Sequence, residues 1–169
     1  MTEILLTLDG LDASRRLGAA IGRTLRPGDR ILLSGDLGSG KTTLARAIGS
    51  ALHAEPELTS PTFILVSEHA GDLPIWHIDA YRLPPGSDAT RVGILDERQE
   101  RGVTLIEWPE HLDGLLLEGE GVLSVQLRSS ENGDARVASL AGAGPALLGA
   151  LAASGLRWSQ PNAGTVDVR

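Results

Sequence analysis

Gly35-Asp36-Leu37-Gly38-Ser39-Gly40-Lys41-Thr42 carries glycine, lysine and a hydroxyl at the spacing G-x-x-x-x-G-K-[ST]. Each residue type has a chemical reason to be there. Glycines let the backbone turn tightly, so that several N–H groups converge on phosphate oxygens. A helix that follows the loop aims the positive end of its dipole at the same place. Lys41 would neutralise the β- and γ-phosphates, and the Thr42 hydroxyl can ligate Mg²⁺. The segment Asp36–Thr43 is therefore the candidate cradle of a nucleoside triphosphate, formed by Asp36, Leu37, Gly38, Ser39, Gly40, Lys41, Thr42 and Thr43. Fourteen of the 15 basic residues are Arg and Lys41 is the only lysine, so the one compact, flexible cation falls inside this loop. A guanine-specific N-K-x-D signature needs a second lysine, so the sequence points to ATP rather than GTP.

A phosphate loop works with a carboxylate at the end of a neighbouring strand. Two residues qualify. Asp79 ends Pro74-Ile75-Trp76-His77-Ile78-Asp79, and Glu107 ends Val103-Thr104-Leu105-Ile106-Glu107. One would hold metal while the other orients or deprotonates the attacking water; spacing alone does not assign the roles. Thr62, in Thr59-Ser60-Pro61-Thr62-Phe63, lies where GTPase-like proteins keep a γ-phosphate-sensing threonine. His77 and Asp79 share a strand face and could begin a zinc site, but no third ligand is spaced to complete it. His53, His69 and His111 read as surface or packing residues. Of five aromatics, Phe63, Trp76, Tyr81 and Trp108 flank these segments, with Arg82 beside Tyr81.

The elements that must position these groups follow from periodicity. Thr2–Leu8, Arg30–Ser34, Phe63–Glu68, Pro74–Tyr81 and Val103–Glu107 read as strands. Asp12–Leu25 and Lys41–Leu52 have helical spacing. Asp88–Arg101 reads as one or two short helices interrupted by Gly93, and its balanced charge suits a solvated face. Gly121–Arg128 and Ala135–Leu140 alternate like a hairpin around Asn132-Gly133. Pro145–Ala153 is a short helix, followed by a loose tail, Ser154–Arg169. The expected fold class is α/β: a P-loop NTPase with a mostly parallel sheet flanked by helices and antiparallel edge strands near the C-terminus. Residues 1–142 would form that domain, and residues 143–169 a C-terminal helix and tail.

Composition bounds the function. A chain of 169 residues, 41% hydrophobic, suits one domain with a sizeable core. The net charge of −7 argues against a principal nucleic-acid binder, although it leaves room for a local basic patch. The absence of cysteine excludes disulfides and thiolate metal sites and suits a reducing cytoplasm. Neither a secretory signal nor a membrane span is expected: Met1–Asp9 lacks a basic region, and Leu140–Leu156 is short and rich in Ala and Gly.

Taken together, Gly35–Thr43, Ser60-Pro61-Thr62-Phe63, His77-x-Asp79-x-Tyr81-Arg82-Leu83 and Ile106-Glu107-Trp108-Pro109 occur in an order and spacing that resembles the TsaE (YjeE) family of bacterial ATPases, over about Thr2–Leu140. The first motif is generic; the other three together are specific. The resemblance implies an ATPase required for the N6-threonylcarbamoyl modification of adenosine 37 in tRNAs reading ANN codons. It implies TsaB and TsaD partners, with tRNA met only through the complex and hydrolysis supporting repeated turnover. By position, Thr42 and Glu107 would ligate Mg²⁺, Asp79 would be the essential acid near the γ-phosphate, and Trp108 would sit beside the site. Two departures stand out: Gly133 occupies a place where family members often carry Arg, with Arg136 nearby, and Ser14 replaces the usual Thr of the first helix. The alternatives are a small-molecule kinase, which needs an acceptor pocket and an Arg-rich lid, and a module that binds nucleotide without hydrolysing it.

Overall fold

The computed structural model describes residues 3–61, 65–113, 119–130 and 135–161. Its strands are β1 (Glu3–Leu8), β2 (Arg30–Ser34), β3 (Val66–His69), β4 (Ile75–Asp79), β5 (Val103–Glu107), β6 (Val122–Ser129), β7 (Arg136–Ala141) and β8 (Trp158–Ser159). The helices are α1 (Gly10–Gly22), α2 (Lys41–Ala51) and α3 (Pro145–Ala153), with 3-10 turns at Glu97–Arg101 and Pro109–His111. The strand expected from Phe63 and the turn at Asn132-Gly133 fall partly or wholly outside the described residues, as does Thr62.

One eight-stranded sheet runs in the order β3-β4-β5-β2-β6-β7-β1-β8. It is mixed rather than mostly parallel. The centre, β4-β5-β2-β6, is parallel, whereas β3 and the β7-β1-β8 side pair antiparallel. Connection length explains the difference. A parallel pairing needs a crossover of roughly a dozen residues or more, and only the short segment 70–74 separates β3 from β4. Strand β1, far from β2 in the sheet, closes instead on β7 in the register Leu6↔Ala138.

Alternation along the strands splits the core. Ile31, Leu33, Leu105 and Val125 pack with Leu17 and Ile21 of α1, Leu44 and Ile48 of α2, and Leu147 and Leu151 of α3. Leu32, Ile78 and Ile106 belong to a second cluster with Ala89, Ile94, Leu95 and Leu112. The three helices therefore share one face of the sheet, and the irregular chain between β4 and the Pro109–His111 turn covers the other. Of the one or two short helices expected over Asp88–Arg101, the 3-10 turn Glu97–Arg101 forms and the remainder is irregular, and the segment buries Ala89, Ile94, Leu95 and Gln99 instead of presenting a solvated face. Local hydrogen bonding competes with helix there. Asp88 Oδ1 accepts the N–H groups of Thr90 and Arg91, Gly93 sits at φ +74°, and Asp96 Oδ1 accepts Arg98 N–H. Nor is the start of the tail loose. Trp158 and Ser159 pair with Leu6 and Leu5, covering the open edge of β1. No helix among the described residues is long and apolar enough to cross a membrane.

Helices α1 and α2 meet closely because glycines face alanines. A Cβ on Gly18 would lie 2.8 Å from the Ala47 carbonyl carbon and 3.0 Å from Ile48 N, and one on Gly22 would lie 2.7 Å from Ala51 Cβ. Alanine gains up to about 1 kcal/mol of helix propensity over glycine, but overpacking a backbone contact costs about 1–3 kcal/mol. Gly18→Ala should therefore lower stability by roughly 1–2 kcal/mol. Urea denaturation checks this; an unchanged midpoint would mean that the helices separate without penalty.

Candidate functional site

The parallel centre of the sheet carries the sequence-predicted site residues at its C-terminal edge, where open α/β sheets bind ligands. Strand β2 ends at Ser34 and runs into the loop Gly35–Gly40, which opens α2. Gly35, Gly38 and Gly40 have φ of +135°, +77° and +104°, a region closed to most side chains. A Cβ at Gly35 would also strike the Leu127 carbonyl, and it would approach Ser39 Oγ to 2.8 Å. Gly40 is the N-cap of α2 with no side-chain cap, so the first N–H groups of the helix face the loop without a carboxylate or hydroxyl of their own.

Lys41 is buried, and its ammonium donates to the carbonyls of Gly35 at 2.6 Å and Asp36 at 2.8 Å. The Trp108 ring covers it, with the centroid 3.9 Å from Nζ. Trp108 reaches that position in the left-handed region, φ 60° and ψ 48°, an uncommon conformation for a bulky residue that costs on the order of 1–3 kcal/mol. The ring also contacts Tyr81 (centroids 4.9 Å apart) and His111 (5.9 Å). Burial pushes the Lys41 ammonium below the usual lysine range, while the carboxylates of Glu107, Glu110, Asp79 and Asp36 pull it back up.

Asp79 and Glu107 stand opposite each other in the β4–β5 register, and Leu33 at the end of β2 pairs with Glu107 on the other side. Both carboxylates are buried. Glu107 Oε2 accepts the Thr42 hydroxyl at 2.8 Å, and its Oε1 lies 2.8 Å from His77 Nε2. Asp79 Oδ1 accepts Tyr81 N–H at 3.0 Å, and its Oδ2 accepts Ser60 Oγ at 3.4 Å.

Leu37, Gly38, Gly40, Lys41, Thr42, Thr43, Ser60, Asp79, Tyr81, Glu107 and Trp108 line one cavity of about 310 Å³. The structure thus brings Lys41, Thr42, Asp79 and Glu107 to one wall. Asp36 takes part through its carbonyl, and Leu37 is 79% exposed at the loop tip. A second cavity of about 350 Å³ lies against the same loop; Ser39 and Thr43 line it together with Ser14 and Arg136. The buried Ser39 hydroxyl has no hydrogen-bond partner among the described residues.

The residues present fit a hydrated Mg²⁺. Thr42 Oγ1 and Glu107 Oε2 are 2.8 Å apart. A hydroxyl and a carboxylate oxygen side by side are hard oxygen donors of the kind that Mg²⁺ takes. The same groups do not make a zinc site. His77 points Nε2 at Glu107 rather than joining Asp79, and among the described residues no group of three His, Asp or Glu is arranged to hold a metal.

The link from His77 to Glu107 is the part of the site that sequence reasoning missed. The signal was a histidine inside an otherwise apolar strand. It is fully buried, its Nε2 faces Glu107 Oε1, and its Nδ1 has no hydrogen-bond partner among the described residues. The remaining histidines do ordinary work. His53 pairs with Asp72 at the surface, His69 lies between Ser67 and the Pro56 carbonyl, and His111 Nδ1 lies against the Leu83 carbonyl.

Comparison with known proteins gives the family. The family model for threonylcarbamoyl adenosine biosynthesis protein TsaE matches residues 8–137. The tRNA threonylcarbamoyladenosine biosynthesis protein TsaE of Streptomyces coelicolor is 43% identical over 99 residues, 57% of this chain and 67% of the relative. The protein of that name from Nostoc sp. is 40% identical over 116 residues, 66% and 70% of the two chains. That from Mycobacterium bovis is 35% identical over 142 residues, 79% and 83%. A crystal structure of Bacillus subtilis YdiB shares the fold, with a TM-score of 0.66 and 22% identity, covering 91% of this chain and 95% of the other. The match over 8–137, which takes in the loop and both strand-end carboxylates, shows that the chain belongs to the TsaE family.

Proposed function

We propose that this protein is a P-loop ATPase that binds Mg²⁺-ATP in the cleft between the loop and the ends of β4 and β5, and supports N6-threonylcarbamoyladenosine modification of tRNA together with TsaB and TsaD. One observation carries the ATPase reading: a buried lysine and a hydrogen-bonded threonine–carboxylate pair of hard oxygen donors face the same cavity. Family membership carries the rest.

In this reading Lys41 exchanges its two carbonyl acceptors for the β- and γ-phosphates, and the N-terminus of α2 receives the same anion. Thr42 and Glu107 would hold Mg²⁺, which would supply positive charge to offset that of the triphosphate. His77 keeps Glu107 turned toward Thr42. Asp79 orients and accepts a proton from the attacking water. The nucleoside lies toward the second cavity, where Ser14 and Arg136 can reach it. Arg136 would thereby supply the cation that many family members carry at the position of Gly133. The kinase alternative gains no support, because Arg98 of the Asp88–Arg101 segment is tied to Asp96 and Glu68 and the segment packs on the sheet.

The test is phosphate release by the purified chain, alone and then with TsaB, TsaD and tRNA. Slow hydrolysis that rises with the partners is expected. A rate indifferent to them, or phosphate appearing on a small acceptor, would overturn the assignment.

A further inference from the structure

On the outer side of the α1–α2 pair, away from the strand-end carboxylates, runs an open groove of about 1070 Å³. Its floor is small and apolar where the two helices meet, with Ala19, Gly22, Ala47 and Ala51 half-buried or buried. Leu25 and Leu73 extend it. Four arginines line it, Arg15, Arg23, Arg26 and Arg46, against two carboxylates, Glu57 and Asp72. Both carboxylates are already engaged, Glu57 with Arg46 and Asp72 with His53. The exposed guanidiniums of Arg15, Arg23 and Arg26 have no hydrogen bond or ion pair among the described residues. On a chain of net charge −7, this is a local concentration of unpaired positive charge.

We propose that this groove docks an acidic amphipathic helix of a protein partner; the proposal rests on the partnership inferred above. The chemistry selects that occupant. Guanidinium groups take carboxylates in bidentate pairs. Arg15 on α1 and Arg23 at its C-cap are eight residues apart, about 12 Å of helix, which matches carboxylates two turns apart on a docked helix. The apolar floor calls for aliphatic side chains between those carboxylates, as in helix-in-groove recognition. A nucleic-acid backbone has no use for that floor, and an overall charge of −7 opposes a long polyanion that only three free arginines would hold. The groove shares Leu11 and Thr43 with the second cavity, so the docked segment would touch the turn of α2 that follows Lys41 and Thr42.

The experiment compares the wild-type chain with Arg15→Glu/Arg23→Glu/Arg26→Glu, all at exposed positions, in titrations against the TsaB–TsaD pair and separately against a tRNA transcript. ATP affinity serves as the control for folding. Retained ATP binding with partner affinity reduced about 10- to 100-fold, and a shallower salt dependence than wild type, is the expected result. Equal partner affinity for both proteins would overturn the groove while leaving the partnership intact. Partner binding by neither would remove the partnership itself, and this inference with it. Direct tRNA binding by the wild type that the triple variant loses would overturn the protein helix in favour of RNA. Should the triple variant fail to bind ATP, the single Arg23→Glu variant is to be measured, with a loss of about fivefold or more expected and no change contradicting the proposal.

Discussion

Lys41→Ala will weaken ATP binding by at least about 100-fold, equivalent to roughly 2.8 kcal/mol. The side chain is buried against a site with no second lysine in the chain to replace it. In the proposed complex its loss would remove charge-assisted bonds to the terminal phosphates, the stronger class of hydrogen bond. Lys41→Arg should rescue little, because a planar fork does not fit where Nζ is confined by the Gly35 and Asp36 carbonyls and the Trp108 ring. The variant should remain folded, since alanine removes a buried cation and leaves carbonyls that water can reach from the cavity. Calorimetric titration checks the affinity, and near-normal binding by Lys41→Ala would refute the phosphate-loop assignment.

The lowered pKa of Lys41 adds a signature in pH. A bound triphosphate favours the ammonium, so wild-type ATP affinity falls as pH rises through the lowered Lys41 value. The ligand-free protein behaves in the opposite sense. Between the lowered folded value and the ordinary unfolded one, the unfolded chain binds more protons, so this group's contribution to stability improves as pH rises through that window.

The second large effect separates the two carboxylates. Asp79→Asn should keep nucleotide affinity within a few fold and slow hydrolysis by about 10²–10⁴, the usual contribution of a positioned acid–base group. Asparagine retains an oxygen for the Tyr81 N–H, so the backbone turn after β4 survives. Glu107→Ala should instead raise the Mg²⁺ concentration needed for tight ATP binding. It also leaves His77 Nε2 without its buried acceptor, which costs about 1–3 kcal/mol of stability. Glu107→Gln keeps an acceptor for His77 and isolates the metal effect. Initial rates and Mg²⁺ titrations of the variants decide the matter: a larger Mg²⁺ effect from Asp79→Asn would exchange the two roles, and an unchanged hydrolysis rate would remove Asp79 from the mechanism.

Much of this was legible in the residues. Arg30–Ser34, Val103–Glu107 and Pro145–Ala153 have the bounds that periodicity and punctuation suggest, because apolar runs flanked by Gly or Pro leave few choices. The tight turn between β2 and α2 was legible because Gly35, Gly38 and Gly40 permit the positive φ that such a turn uses. Asp79 and Glu107 were visible as strand-end acids, but their adjacency was not, since strand order is set by tertiary pairing. The placement of β1 beside β7 was hidden for the same reason. The Asp88–Arg101 segment misled because its charges suggest solvent, whereas Ala89, Ile94 and Leu95, spaced irregularly, are what the sheet buries. His77 was noticed for the wrong partner, because i, i+2 spacing is visible along a strand and a diagonal contact between strands is not.

The most direct test of the central claim is calorimetric titration of ATP into the purified wild-type chain, with and without Mg²⁺. Saturable binding at one site, tightened by Mg²⁺ in the wild type but not in Glu107→Gln, is the result expected of a loop that holds the phosphates while Thr42 and Glu107 hold the metal. No binding, or binding indifferent to Mg²⁺, would contradict it.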